Sequence, residues 1–534
     1  MENIALIITL LFGITLLAVL CSKFNFPFPI VLVLAGVAIS LIPGLPAINL
    51  KPEIIFLIFL PPLLHDAAWN TNWHNFKENK RNIILAAFGV VLFTTVLVGV
   101  AAHLFIPGMS WSLGFLLGAI VSPTDAVGAI ALTKKLHLPR KVITILEGES
   151  MVNDASGLVA YKYGVAAVMS GNFIFWQAGL DFLFVIVGSI AIGIIIAHVG
   201  YLLLKFLIVD PILVTAFSFL VPFAGYLIAE HFECSGVLAV VCAGLYLSYK
   251  AKPSISNEAR ITIYATWDVI TFILNSLIFI LIGLQLRTVM KGISNYSNID
   301  LIFYALLVSA AVIIARFMFV VPAALLPRKI SRTIRENETF SSNNMFLIGW
   351  AGIRGVISLA AALALPLVLP GGAPFPERNL IIFLTFCVIF ITLVLLGLNL
   401  PLIIRTLKIK PYSIVEEEYE VRNVILKTTI DHINNDLSHI ENTNLDKIKY
   451  KYDIKYQRIQ KTDLPDDYFE NKNRQHAEEN VYNRYSQLEV DVLKVERDSL
   501  VKLENSGKVS EEIFRKIQRE LDLEESRIRM EMHL

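Results

Sequence analysis

The chain has 534 residues, of which 55% are hydrophobic and only 17% charged, with a formal net charge of +1. That composition suits a membrane setting, and the near-neutral total points to neither nucleic acid nor an acidic ligand. The four cysteines (Cys21, Cys234, Cys242 and Cys387) lie in or beside apolar runs without metal-ligand spacing, so they read as buried free thiols.

Apolar runs bounded by charges, proline or glycine mark the elements in chain order. They fall near 3–21, 29–43, 52–69, 82–106, 111–133, 142–169, 178–207, 209–230, 234–250, 262–286, 300–326, 343–369 and 378–404. The expected fold is an all-α polytopic membrane protein of about 13 transmembrane helices. The first run has no basic flank and reads as a helix that stays rather than a cleaved signal. Pro61-Pro62 compromises the third run, and Asp210-Pro211 separates the seventh from the eighth. Loops after odd-numbered spans hold most basic residues, among them Lys77, Lys80, Arg81, Lys134, Lys135, Arg140, Lys141, Arg260 and Arg328. Loops after even-numbered spans hold only Lys51, Arg287, Lys291 and Arg378. The positive-inside rule then puts the N-terminus outside and the C-terminus in the cytoplasm.

Two spans are interrupted. In the fifth, Val121-Ser-Pro-Thr-Asp-Ala-Val-Gly128 carries Pro123, which removes a backbone donor and frees carbonyls at membrane depth. In the twelfth, Gly352-Ile-Arg-Gly355 sets an arginine between glycines. Such backbone is tolerated only where protein or a wet cavity satisfies it, and paired interruptions mark a transporter's midplane. With thirteen spans, helices four to six and eleven to thirteen run in opposite senses. The two breaks then fall on the middle helix of each unit, as in inverted repeats with two broken crossing helices.

Between the breaks, the sixth span carries Glu147-Gly-Glu-Ser-Met-Val-Asn-Asp154. Carboxylates at membrane depth cost roughly 2.5 kcal/mol or more each and mark function by default. Ser150, Asn153, Asp154 and Gly157 share one helical face, offering a hydroxyl, an amide, an acid and a gap for another backbone. That face reads as a site for a small cation or a proton.

Ser122-Pro-Thr-Asp-Ala-Val127, Glu147-Gly-Glu-Ser150 with Asn153-Asp154, and Gly352-Ile-Arg-Gly-Val-Ile-Ser358 resemble the signatures of the sodium/proton exchanger family of NhaP/NHE type. Leu60-Pro-Pro-Leu-Leu-His-Asp-Ala-Ala68, Ser235-Gly-Val-Leu-Ala239 and Phe279-Ile-Leu-Ile-Gly-Leu284 match further stretches, so the resemblance covers roughly residues 5–405 in order. It implies a monovalent cation/proton antiporter, a transporter and not an enzyme. It also implies a homodimer in the bilayer, with a core domain moving against a dimerisation domain. Residues 1–407 would form the transmembrane exchanger domain and 408–534 a cytosolic helical tail. A chain of this kind suggests a bacterial inner membrane, with no cofactor beyond the transported ion and proton.

Asp154 is the expected carrier carboxylate, since desolvation penalises a bare charge and lets proton and cation compete for it. Ser150 and the Thr124 carbonyl and hydroxyl would complete a monovalent-cation site with neutral oxygens. Asp125 would act one step removed, holding water or Asn153, or else anchor the Pro123 break. Asp66 stands where the family often has a glutamate and would line the cytoplasmic approach. Glu149 and Arg354 would form a buried ion pair, and Arg316 would pair internally with a partner not deducible. Electrogenic relatives have an aspartate where this chain has Asn153, which favours electroneutral 1:1 exchange; Lys162, in the same span, is either a titrating partner or a snorkelling cation. Asp268 and Asn275 line the cavity or serve helix contacts, and His65 and His74 are surface residues.

The tail is rich in charge. Val481, Tyr485, Leu488, Val492 and Val495 repeat at four-three spacing, Asn505-Ser-Gly507 would end that helix, and Ser510 would cap another carrying Ile513, Ile517 and Leu521. Oxygen ligands do not separate sodium or lithium from potassium, so a K+/H+ antiporter stays open, as does a cation channel from another class. Neither Gly-x-Ser-x-Gly nor His-Glu-x-x-His occurs, which weighs against an intramembrane enzyme.

Overall fold

A computed structural model describes residues 2–24, 26–42, 55–125, 128–130, 138–170, 175–206, 210–251, 255–293, 296–330, 342–409, 413–435, 443–460 and 479–532. Among these residues the protein is helical, with one isolated bridge between Val368 and Pro374. The membrane part begins with α1 (Glu2–Phe24), α2 (Phe28–Ser40) and α3 (Leu60–Trp69), the last entered through a π-turn at Ile55–Phe59. Pro61 and Pro62 are harmless there because the first turn of a helix needs no intrahelical donor. Next come α4 (Trp73–Phe105), α5 (Trp111–Val121), α6 (Arg140–Ser170), α7 (Phe175–Phe206) and α8 (Pro211–His231). The Asp210 carboxylate caps α8 by accepting from the Ile212 and Leu213 amides, which fixes the break expected at Asp210-Pro211.

The series continues with α9 (Gly236–Lys250), α10 (Asn257–Leu284) and α11 (Asn298–Ile330). The broken pair α12 (Ser342–Trp350) and α13 (Val356–Leu363) follows, then α14 (Arg378–Thr406). Each apolar run read from the sequence contains described helix, though the fifth and twelfth runs are only partly helical among the described residues. Six of these helices (Trp73–Phe105, Asp181–Phe206, Pro211–His231, Asn257–Met290, Asn298–Ala323 and Arg378–Thr406) are long and apolar enough to cross a membrane by themselves. The others are shorter, interrupted or carry the polar groups of the site.

With lipid as apolar as leucine, helices gain from close approach rather than from hydrophobic burial. Gly36 of α2 and Gly283 of α10 face each other, and a Cβ on Gly36 would lie 3.0 Å from the Gly283 Cα. A buried cluster including Leu32, Val33, Val142, Ile145, Ile280, Ile353 and Leu393 then joins α2, α6, α10, the broken helix and α14. All four cysteines are free thiols, Cys21 and Cys234 fully buried.

Four C-terminal helices, α15 (Ile414–Asn435), α16 (Thr443–Gln460), α17 (Glu479–Asn505) and α18 (Glu511–Met532), share their own core. Val421, Ile425, Leu493, Leu500, Ile513, Ile517 and Leu521 are buried together there, so the α18 stripe joins this core, whereas Val492 of the α17 stripe, with Leu488 against it, is buried instead with Leu445, Ile448 and Tyr452 of α16. The side chains of Val481 and Tyr485 lie outside the described residues. Gly507 has φ +68, which ends α17, and the Ser510 hydroxyl accepts from the Ile513 amide to cap α18.

This helical unit docks on one end of the membrane part. Glu417 of α15 pairs with Arg140 at the start of α6, and accepts from the Ser510 amide (2.5 Å) and hydroxyl (2.9 Å). Asp522 of α18 accepts from Arg260 of α10 at 2.8 and 3.1 Å, and Arg515 reaches Asp268 at 3.5 Å while lying 4.2 Å over the Tyr264 ring.

Within this unit, burial pushes the Glu524 carboxyl up, but Lys455 and Lys451 beside it hold it below the ordinary 4.5. A carboxylate depressed in the folded state contributes stability above its unfolded pKa and loses it as pH falls through the folded value. The unit therefore loosens on acidification below about 4.5. Lys451→Gln is expected to reduce that acid sensitivity, read as the pH dependence of amide hydrogen exchange in α16 and α18, corrected for the intrinsic exchange rate; an unchanged profile would exclude Glu524 as its source.

Candidate ion-binding site

Pro123 lacks the amide that would bond to the Ala119 carbonyl, and the Ser122 hydroxyl donates to that carbonyl instead (3.0 Å). Residues 122–125 are non-helical, as are 351–355 in the second break. The two breaks cross: the Asp125 amide donates to the Ile353 carbonyl (2.7 Å), and Arg354 Nε donates to the Val121 carbonyl (3.1 Å). Each interruption thus satisfies backbone groups of the other, which is what a hydrocarbon setting demands.

Three glycines make the crossing sterically possible. A Cβ on Gly355 would come within 2.6 Å of the Asp125 Cβ, and one on Gly352 within 2.7 Å of Arg316 Nε and 2.9 Å of Arg354 Nη1. The gap read at Gly157 is filled by the Pro123 ring, whose Cδ would lie 3.1 Å from an added Cβ. Gly157→Val should therefore displace the broken segment at an overpacking cost of about 1–3 kcal/mol. We expect it to express while losing most transport; wild-type transport rates would show that the Pro123 contact does not matter.

A cavity of about 410 Å³ opens beside the crossing. Its walls include Asp66 and Asn70 from α3, Pro123, Thr124 and Asp125 from the first break, and Gly355 and Ser358 from the second. Helix α6 adds Glu147, Ser150, Met151 and Asp154, and α10 adds Thr271 and Asn275. Asp66, Thr124, Asp125, Ser150 and Asp154 are thus brought to one space from three elements.

Asn153 stands behind that wall. Its side-chain amide donates to the Thr124 hydroxyl at 2.6 Å, and that hydroxyl donates to Glu149 Oε1 at 3.3 Å. The Thr124 hydroxyl is thereby held by two residues one turn apart on α6. Asn153 is held by Thr124, and Asp125 Oδ1 accepts from the Gly128 amide at 3.3 Å. Asp66 accepts from Asn70 Nδ2 at 2.9 Å.

The expected Glu149–Arg354 ion pair is not made. Glu149 pairs with Arg316 of α11, whose Nη1 and Nη2 donate at 2.5 and 3.0 Å and whose Nε donates to the Ile348 carbonyl. Arg354 spends its donors on the Val121 and Gly352 carbonyls, and its amide bonds to the Thr392 hydroxyl. Both arginines are 1% exposed, and Arg354 lies within electrostatic range of Glu149 without touching it. Two cationic residues sit in otherwise apolar helices, and spacing could not say which would reach the acid. Arg354→Ala removes a backbone clamp rather than a ligand, so it should lower folded yield more than ion affinity. Equal yield with a changed apparent affinity would count against that role.

One further expectation is revised, and one left open is narrowed. His65 is 3% exposed, with its ring among Trp69 and Trp267, and is no surface residue; α3 is covered by α8, α9 and α10. Lys162 is exposed and does not line the cavity, so it offers Asp154 no cationic partner. Asp268 is bound to Arg515, whereas Asn275 lines the cavity. The sequence reading passed over Glu147 and Asn70 as site residues. Glu147 sits seven positions before Asp154, two turns away on the same face, and that spacing was available.

Two interrupted helices crossing beside a polar cavity in an all-helical membrane protein define a secondary transporter. The chain belongs to the sodium/hydrogen exchanger family: the family model described as "Sodium/hydrogen exchanger, transmembrane" matches residues 6–406. Its members are transporters, not enzymes. It is 34% identical over 387 residues to the "Sodium, potassium, lithium and rubidium/H(+) antiporter" of Bacillus pumilus, covering 71% of this chain and 57% of that protein. The protein so described in Bacillus subtilis is 29% identical over 528 residues, covering 96% of this chain and 76% of its own. The chain thus matches little more than half of the first relative's length and about three quarters of the second's. Among solved structures, the sodium proton antiporter MjNhaP1 from Methanocaldococcus jannaschii superposes with a TM-score of 0.59 at 19% identity, over 76% of this chain and 99% of that one. That likeness carries the fold.

Proposed function

We propose that this protein is a secondary antiporter that exchanges Na+ or Li+ for H+ by alternating access, in service of pH and sodium homeostasis. The observation that carries the reading is Asp154 in the wall of a cavity shared with Thr124 and Ser150, at the crossing of two broken helices. A carboxylate accepts a proton or a cation but not both at full strength, so loading one releases the other. Ser150 and the Thr124 carbonyl are neutral oxygens suited to a hard monovalent ion. Asn153 carries no charge beside Asp154, and Lys162 stands outside the cavity. One carboxylate then trades one cation for one proton, which moves no net charge. Asp125, hydrogen-bonded to the opposite break, holds the crossing in shape, and Asp66 guides ions from the side where the C-terminal helices dock.

The basic loops favour a cytoplasmic position for that side, with the N-terminus outside. The family and its bacterial relatives favour a bacterial inner membrane and a homodimer. The relatives' names include potassium and rubidium, so K+/H+ exchange is the competing reading within the class. The test is dissipation of a pH gradient in everted vesicles on adding sodium, potassium or lithium chloride. Discharge by one cation names the ion. Current carried without proton movement would establish a channel instead.

A further inference from the structure

We propose that Glu147 is a second cation-holding carboxylate of this cavity, standing between the cytoplasmic mouth and Asp154 and taking the monovalent ion first. The proposal rests on the exchange reading above and adds a residue and a step to it.

Glu147 and Asp154 lie seven residues apart on α6, and both line the same cavity with Ser150 and Met151 between them. At 1.5 Å per residue they are about 10 Å apart along the axis, too far to share one ion and close enough to pass it on. Unlike its neighbours, Glu147 has no hydrogen bond or ion pair with any described residue. Glu149 is taken by Arg316, Asp66 by Asn70, and Asp268 by Arg515. A carboxylate in a largely apolar wall is costly without a counter-charge, and no described side chain of the cavity wall supplies one.

A second observation adds a candidate ligand to the same cavity. Asn70 Oδ1, in the same cavity wall, is buried with no hydrogen-bond partner among the described residues, while Nδ2 of the same side chain holds Asp66. An amide oxygen and a carboxylate are the donors a partly dehydrated monovalent ion takes. The docked α18 fixes the direction of travel. Glu511, in its first turn, lies within electrostatic range of Glu147, and Arg515, one turn later, within range of Asp66. Glu147 therefore occupies the end of the cavity nearest the C-terminal helices, and Asp154 the end beside the crossing.

The experiment compares wild type, Glu147→Gln, Glu147→Asp and Asp154→Asn in everted vesicles, titrating sodium, potassium and lithium chloride on the exposed cytoplasmic face. Folded protein is checked by fluorescence-detected size exclusion. Glu147→Gln should raise the apparent KM for the transported cation about tenfold, the effect of losing about 1.4 kcal/mol of attraction. Its maximal rate should stay near wild type, and Glu147→Asp should recover most of the affinity. An unchanged KM in Glu147→Gln overturns the proposal. So does a maximal rate abolished as in Asp154→Asn, which would make Glu147 part of the central site. If Glu147→Gln does not fold, Glu147→Ala takes its place: a KM raised about tenfold at a retained rate supports the proposal and a wild-type KM refutes it. Failure of the wild type to exchange any cation would sink the exchange reading itself, so the two failures are distinguishable.

Discussion

Replacing Asp154 with asparagine should reduce cation-driven proton movement to the level of empty vesicles while leaving folded yield near wild type. The substitution keeps the side-chain volume and a carbonyl oxygen but removes the group that can hold either a proton or a cation. Asp154 is 5% exposed, and it faces the cavity rather than a protein cation. Removing its charge therefore breaks no buried ion pair, and there is no partner left stranded. Measured pH-gradient dissipation separates the outcomes. Residual exchange with only a shifted pH dependence would mean that Asp125 or Asp66 carries the proton. Complete loss together with loss of folded protein would make Asp154 part of the scaffold.

The largest stability effect is expected at Arg316. Its guanidinium makes two hydrogen bonds to Glu149 and one to the Ile348 carbonyl, and both charged side chains are fully buried. Truncation to alanine leaves Glu149 uncompensated, and breaking a buried pair from one side costs about 3–5 kcal/mol. The damage should spread, because Glu149 also accepts from Thr124, whose hydroxyl in turn holds Asn153. One acid thus ties α6, α11 and the first break together. Thermal unfolding in detergent should show a large loss for Arg316→Ala, and a smaller one for Arg316→Met combined with Glu149→Gln, which removes both charges at once. A double variant as unstable as the sum of the singles would show that the pair is not coupled.

The helices themselves were legible in the chain because each long apolar run has one physical solution in a bilayer. Backbone groups must be satisfied locally, so runs become helices and Pro-Thr-Asp or Gly-x-Arg-Gly becomes a break. Asp210-Pro211 told where one helix starts because N-capping is a local event. The face containing Ser150, Asp154 and Gly157 was equally readable, since helical periodicity fixes it without reference to anything else.

Pairings across long separations are a different matter. Glu149 and Arg316 are 167 positions apart, and two arginines in similar apolar settings competed for one acid. Only the packing of α11 against the crossing gave the acid to Arg316 and left Arg354 to clamp Val121. His65 read as a surface residue because its neighbours in sequence sit near a membrane edge. Two tryptophans, one of them some 200 positions away, bury it. The amphipathic stripes of the last helices announced that they would pack, but not that Asp522 and Arg515 would meet Arg260 and Asp268 beside the cavity. Local rules of backbone satisfaction and periodicity thus determine the elements, their breaks and the carboxylate-bearing face. Which charges neutralise which, and which end of the cavity lies beneath the C-terminal helices, depends on distances that exist only once the helices are packed.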